Sequence, residues 1–285
     1  MALDITPSGR PLGAAVRGVD LTQPLDDATV AQIRAAWLEH KVLAFPDQAM
    51  SDTDLERYTL SFGPFGYDPY FASIDGHPNI AAIHRTADET TSLFADNWHA
   101  HWTLQEFPPD GTCLHSRIIP PVGGNTEFCN QQAVYEALPD DLRAWADEAV
   151  AIHSARVPYA PDGVYGEDDG EDRSMAIITD ESAYATQTHR LVREHPETGA
   201  RTLYSSIGYI IGIEGMDDEA AKAKLIELYH WQANPEFHYV HEWKPNMLTM
   251  WDNRCVLHRV TGGFEGHERL LHRTTIGYNE LVRAS

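Results

Sequence analysis

The chain is poor in cysteine, poor in basic residues and without a long apolar run. Cys113, Cys129 and Cys255 are its three cysteines in 285 residues. Their number is odd and their spacing is not that of a metal knuckle, which argues against a disulfide framework and for a reducing compartment. Lysine and arginine total 21 against 43 aspartate and glutamate, giving a formal net charge of -22. A field of that sign repels nucleic acid and anionic membrane surfaces, so neither is expected as a partner. No apolar stretch approaches the roughly 20 residues needed to span a bilayer, and residues 1–10 have neither a basic head nor an apolar signal-peptide core. A cytoplasmic location is expected. Assembly into a homo-oligomer stays open, since an acidic surface does not exclude an apolar interface.

What is present is core material: 42% of the residues are hydrophobic, with aromatics scattered throughout. No internal repeat or change of composition marks a second core, so residues 1–285 are read as one domain. Val30, Ile33, Ala36 and Trp37 recur at helical spacing behind Asp26 and Asp27, which predicts a helix over 26–40. Ser51 and Asp54 form a capping-box signature for a second helix. Residues 131–150, broken at Pro139, and 217–231 predict further helices. The remaining apolar segments, 42–45, 80–84, 98–104, 111–119, 237–243, 247–251 and 270–278, are short, rich in β-branched and aromatic residues and bounded by Gly, Pro and Asn. Many short strands with flanking helices indicate a mainly β fold of barrel or jelly-roll type. The acidic, glycine-bearing stretch 162–172 predicts a surface loop able to serve as a lid.

Candidate chemistry gathers at two places. Read as a strand, the segment Asn97-Trp98-His99-Ala100-His101-Trp102 puts His99 and His101 on one face with Cα atoms roughly 6.6 Å apart, close enough for two imidazoles to grip one ion. With fifteen histidines in the chain, such a pair also arises by chance, so it carries little alone. The second place is the C-terminal region. There the strand through His267-Glu268-Arg269-Leu270-Leu271-His272-Arg273 sets Arg269 and Arg273 on one face roughly 13 Å apart. Paired guanidiniums grip carboxylates or sulfonates, or simply form surface ion pairs. His258 precedes this strand, and a turn through Gly262, Gly263 and Gly266 can return the chain to the same pocket.

The order of these blocks, with Asp96-Asn97-Trp98-His99, Gly123-Gly124-Asn125-Thr126, His195-Pro196-Glu197-Thr198-Gly199, Trp251-Asp252-Asn253-Arg254 and His272-Arg273 at matching intervals, resembles the taurine dioxygenase and chlorophenoxyacetate dioxygenase (TauD/TfdA) family of Fe(II)/2-oxoglutarate-dependent enzymes. The likeness runs nearly end to end. It implies a double-stranded β-helix, a cupin-like jelly roll wrapped by helices, with Fe(II) held at one mouth, 2-oxoglutarate as co-substrate and O2 as oxidant. Oxidation of a small-molecule substrate, most simply hydroxylation of an organic acid or amino-acid-like compound, would accompany decarboxylation of 2-oxoglutarate to succinate and CO2. By position His99 and His258 match metal ligands, and Thr126 with Arg273 matches the partners of the distal 2-oxoglutarate carboxylate. Arg269 matches an arginine that grips an anionic substrate group. Asp68 stands where taurine-oxidising members have a histidine and Ala95 where they have an asparagine, which argues against taurine itself; Asp68 would meet an amine or guanidinium, or pair with Arg269. Residues 156–186 resemble the family least and fall where substrate-covering loops are expected.

One position departs from the pattern. The family places aspartate two residues after the first histidine, completing a 2-His-1-carboxylate face; here His101 stands there. The departure leaves three outcomes: a three-histidine site that binds Fe(II), a two-histidine site with His101 turned away, or loss of oxygenase activity. Beside the 2-oxoglutarate-dependent dioxygenase stand two alternatives, a three-histidine oxygenase that needs no 2-oxoglutarate and a non-catalytic metal or metabolite binder.

Overall fold

The computed structural model describes residues 3–166 and 173–279. Of the acidic stretch read as a lid, residues 167–172 lie outside the described residues, and 161–166 form turns and bends. No helix among the described residues is long and apolar enough to cross a membrane.

Period-two alternation in a few strands builds two facing sheets, because successive side chains leave a strand on opposite sides. One sheet has eight strands in the order Asp4–Pro7, Ala14–Arg17, Val42–Phe45, Leu248–Asp252, Gly111–Ile118, Arg269–Ile276, His77–Arg85 and Ser73–Ile74. Its pairings are antiparallel except for Ala14–Arg17 beside Val42–Phe45. The opposing sheet runs His238–His241, Thr126–Asn130 and Val256–Val260, also antiparallel. Leu114, Trp251 and Leu271 from the large sheet pack with Phe128 and Val256 from the small one in a shared core. Phe128 and Trp251 close it with ring centroids 5.3 Å apart. Two facing sheets wrapped by helices make the jelly roll that the strand pattern predicts.

The outward residues of the same strands are equally apolar, which is why both outer faces carry helices. Cys113, Leu248 and Met250 meet Ile33, Ala36 and Trp37 of helix Asp27–His40, and Leu55 and Tyr58 of helix Asp52–Leu60. Cys129 and Leu257 meet Val134 of Gln131–Ala137, Leu142 of Asp140–Glu148 and Leu228 of Asp218–Gln232. The caps are those the sequence encodes. Asp26 and Asp217 accept from Thr29 and Ala220 backbone N–H groups, and Ser51 with Asp54 forms the reciprocal box.

A buried polar network ties the large sheet to its helical layer. The Asp252 carboxylate accepts from Arg254 Nε and Nη2 at 2.7 and 2.6 Å and lies 3.0 Å from His195 Nε2. Arg254 reaches on to Glu197, which accepts from Arg34 of the first helix at 2.8 Å. Burial alone would raise the Asp252 carboxyl, but Arg254 and His195 outweigh it and hold it well below the usual carboxylate range. The depressed value means that this stabilisation is complete above the unfolded pKa and fades as pH falls through the folded one. Asp252→Asn is expected to cost up to about 3–5 kcal/mol at pH 7, because the buried Arg254 guanidinium keeps Glu197 as a counter-charge but loses Asp252. Denaturant melts at pH 7 and at pH 3 check this: the wild type's advantage should be full at the higher pH and smaller at the lower.

Candidate functional site

The site begins with a backbone contact. His99 and His258 exchange hydrogen bonds, N–H to C=O at 3.1 and 2.9 Å, and Val260 N–H donates to Ala95 C=O at 2.9 Å. The 95–99 segment is thereby laid along the free edge of the small sheet beside Val256–Val260. His258, in register with Phe128, points with it into the barrel.

The expected strand over 98–104 does not form. Only a single bridge exists at His99, and residues 101–104 turn, with Trp102 in the left-handed region at φ 54. The turn carries the His101 ring toward the other two histidines. The ring centroids lie 4.1 Å (His99 to His258), 4.6 Å (His101 to His258) and 5.5 Å (His99 to His101) apart. One nitrogen from each ring falls within 4.8 Å of the others. All three rings are buried, and burial is the main reason their protonation is suppressed: His99 is lowered to about 4, and His101 and His258 are held well below the usual histidine range. They are therefore neutral, the form that ligates metals.

Neighbours that the sequence did not single out fix the tautomer of His99 and the orientation of the His101 ring. His99 Nδ1 sits 2.8 Å from the Asn97 carbonyl, which can only accept, so Nδ1 carries the proton and Nε2 is free. His101 Nδ1 lies 2.7 Å from Thr112 Oγ1, itself held by Asn253 Nδ2 at 2.9 Å. His258 Nδ1 is buried without a hydrogen-bond partner among the described residues. Three converging neutral imidazoles, two of them oriented through Nδ1, suit a first-row divalent metal.

The inward face of strand Arg269–Ile276 supplies the cationic groups. Arg269 and Arg273 are buried at 4% and 2% exposure. They line, with Thr126 and the three histidines, one cavity. Their partners differ. Arg273 Nη2 donates to Asp68 at 2.7 Å, and the other Asp68 oxygen accepts from the Trp102 indole. Phe71 and Trp102 flank the Arg273 guanidinium, with centroids 4.5 and 5.6 Å from its central carbon. Arg269 donates through Nε to the Gly124 carbonyl at 3.1 Å, and no carboxylate among the described residues pairs with it. Burial lowers it to about 10, still protonated at neutral pH. Gly124, at φ +64, permits this approach, since a Cβ there would fall 3.1 Å from the Arg269 chain. Thus Asp68 pairs with an arginine, but with Arg273 and not with Arg269, because the 64–72 loop crosses the strand at its far end.

A second, outer chamber shares Phe94, Ala95 and His99 with the first. Tyr159, Tyr165 and Tyr209 wall it. Trp102 and Trp251 stand against His101 and His258, whereas Trp98 points into the helical layer.

A jelly roll with three converging histidines and two buried guanidiniums at one mouth is an arrangement suited to an oxygenase. Residues 4–275 match the family model of taurine catabolism dioxygenase TauD, TfdA family. An (S)-phenoxypropionate/alpha-ketoglutarate-dioxygenase of Sphingobium herbicidovorans is 30% identical, over 96% of this chain and 95% of its own. An alpha-ketoglutarate-dependent sulfate ester dioxygenase of Pseudomonas putida is 29% identical, over 97% and 90%. Among solved structures, a taurine dioxygenase from Burkholderia xenovorans superposes with a TM-score of 0.80 at 30% identity, over 98% of this chain and 92% of that one. The chain belongs to the TauD/TfdA family, and is a 2-oxoglutarate-dependent dioxygenase, an oxidoreductase.

The geometry predicts one divalent ion per chain at the histidine cluster. Anaerobic Fe(II) titration by calorimetry should show at least a tenfold loss of affinity in His101→Ala. Thr112→Val, which releases the His101 ring, should lose about 10–100-fold. Unchanged affinity in His101→Ala would mean that this ring turns away from the metal.

Proposed function

We propose that this enzyme uses Fe(II), held by His99, His101 and His258, with 2-oxoglutarate and O2 to oxidise, by hydroxylation, a small organic molecule. The observation that carries the reading is Arg269: a buried, protonated guanidinium with no carboxylate facing it among the described residues, in the cavity that holds the histidines. Burying an unpaired charge is costly, so the position calls for an anion brought in from outside.

The same observation changes the distribution of roles suggested by the resemblance. We assign the distal carboxylate of 2-oxoglutarate to Arg269 and Thr126 and not to Arg273, whose charge Asp68 already meets. Thr126 stands on the strand facing Arg269 across the cavity. Its oxygen accepts from the Trp243 indole at 3.0 Å, leaving the hydroxyl proton to donate to a carboxylate. The three imidazoles bring no negative charge, so the anions around the metal come from the co-substrate. Iron and 2-oxoglutarate, when bound, supply an oxidation coupled to release of succinate and CO2. The chain's own residues orient and shield. Asn97 and Thr112 fix two imidazoles, Arg269 and Thr126 hold the co-substrate's far end in a water-poor cavity where charge pairs are strong, and Trp102, Trp251 and the tyrosines exclude solvent.

We further propose that residues 1–285 act as one catalytic unit, with 156–186 covering the substrate. Tyr159 and Tyr165 of that segment line the outer chamber, which supports the reading. Three buried free cysteines support a cytoplasmic setting. The acidic charge argues against a nucleic-acid partner. An oxygenase without 2-oxoglutarate would leave Arg269 without an anion, and a non-catalytic binder would not release succinate.

Arg269→Ala should weaken 2-oxoglutarate binding by a factor of 30 or more, about 2 kcal/mol or more for a buried charge pair. Arg273→Ala should weaken it less than tenfold. Anaerobic titration of the iron-loaded proteins, followed by visible absorption, reads both. The reverse order would return the co-substrate to Arg273, and no binding to wild type would overturn the functional reading.

A further inference from the structure

The two chambers differ in charge, and the difference bears on the substrate. The inner one holds both arginines. The outer one, which touches His99 and so reaches the histidine cluster, has Asp96 at its rim as its only charged lining residue among the described residues, and no cation. Its walls are aromatic: Tyr70 and Tyr159 stack behind it at 4.6 Å, and the buried Tyr159 and Tyr209 lie against Trp102. Two cations back this wall, Arg173, which lies over the Tyr165 ring at 5.0 Å and 3.9 Å from the Glu89 carboxylate, and Arg273, which is already satisfied. Asp68 spends one oxygen on Arg273 and the other on the Trp102 indole, so neither charge is left over. An anionic substrate would have to displace Asp68 from Arg273 and leave a carboxylate without its guanidinium in a largely buried position, which is costly. A cationic substrate would have to take Asp68 from both of its donors, or stay at the rim with Asp96, which is exposed to water and already accepts from Asn97.

We propose that Asp68 acts as a built-in anion that blocks carboxylate recognition by Arg273, and that the outer chamber accordingly takes an uncharged molecule with an aromatic or similarly flat apolar body. This rests on the functional reading above, in which Arg269 serves 2-oxoglutarate. Asp68 is thus a specificity-determining residue: it keeps the second arginine from selecting an organic acid, the substrate class that the paired arginines alone suggest.

The test uses iron- and 2-oxoglutarate-loaded protein under anaerobic conditions. The probes are three ligands with one body, 2-naphthamide, 2-naphthoate and 2-naphthylmethylamine. Equilibrium binding is read by calorimetry. Wild type should bind the amide at least tenfold more tightly than the carboxylate or the amine. In Asp68→Asn the carboxylate should gain at least tenfold, and Asp68→Glu, which can restore the ion pair, should return the preference toward the amide. A wild type that binds the carboxylate or the amine as tightly as the amide overturns the proposal, as does an unchanged ratio in Asp68→Asn. 2-Oxoglutarate binding measured on the same samples separates the two levels. If it is absent in wild type, the functional reading fails; if it is present while naphthoate is preferred, only the role of Asp68 fails. Retained 2-oxoglutarate binding in the variants also shows that the inner chamber is folded.

Discussion

Two guanidiniums on the inward face of one strand impose the main constraint on this molecule. A jelly-roll interior is close-packed and poor in water, and a charge placed there needs an opposite charge or a ring of donors and acceptors. Arg273 obtains its counter-charge from Asp68, across 205 residues of sequence. Arg269 has the Gly124 carbonyl and otherwise waits. The unequal treatment of two chemically identical groups divides the cavity into a part that needs an anion and a part that does not. The co-substrate and substrate roles follow from that division.

The histidine cluster obeys a similar economy of placement. Reciprocal backbone bonds between His99 and His258 hold two rings together without relying on side-chain packing. The third ring arrives by a turn, not by strand alternation, and Thr112 holds it in position. A histidine at position 101 keeps the site neutral where a carboxylate would subtract one charge. An ion bound there would therefore be more electrophilic, and would depend more heavily on the co-substrate's carboxylates, than in a 2-His-1-carboxylate site. The burial that keeps the rings neutral also strengthens the field of Arg269 on whatever anion enters.

Much of this was legible in the sequence, for local reasons. The caps at Asp26 and Ser51, the helix beginning near residue 217, the break at Pro139 and the strands around residues 42–45, 111–118, 248–252 and 269–276 follow from short-range chemistry and period, and they stand where expected. That Arg269, Leu271 and Arg273 share a face follows from the period of a strand. The errors arose where tertiary contacts decide. The 98–104 segment has the composition of a strand, but pairing ends after His99, so Trp102 adopts a left-handed turn. Asp68 was visible as a charge near the pocket, but which arginine it meets depends on where the 64–72 loop crosses the sheet. Thr112 gave no signal, since a threonine in a strand is commonplace until a histidine folds against it.

The most direct test is a crystal structure of the protein prepared anaerobically with Fe(II) and 2-oxoglutarate. The account predicts iron with nitrogens from His99, His101 and His258 at about 2.0–2.2 Å, typical of imidazole on a divalent first-row metal, the distal carboxylate on Arg269 and Thr126, and Asp68 still on Arg273. Iron held by two histidines with the His101 ring turned away, or 2-oxoglutarate seated on Arg273 with Asp68 expelled, would contradict it.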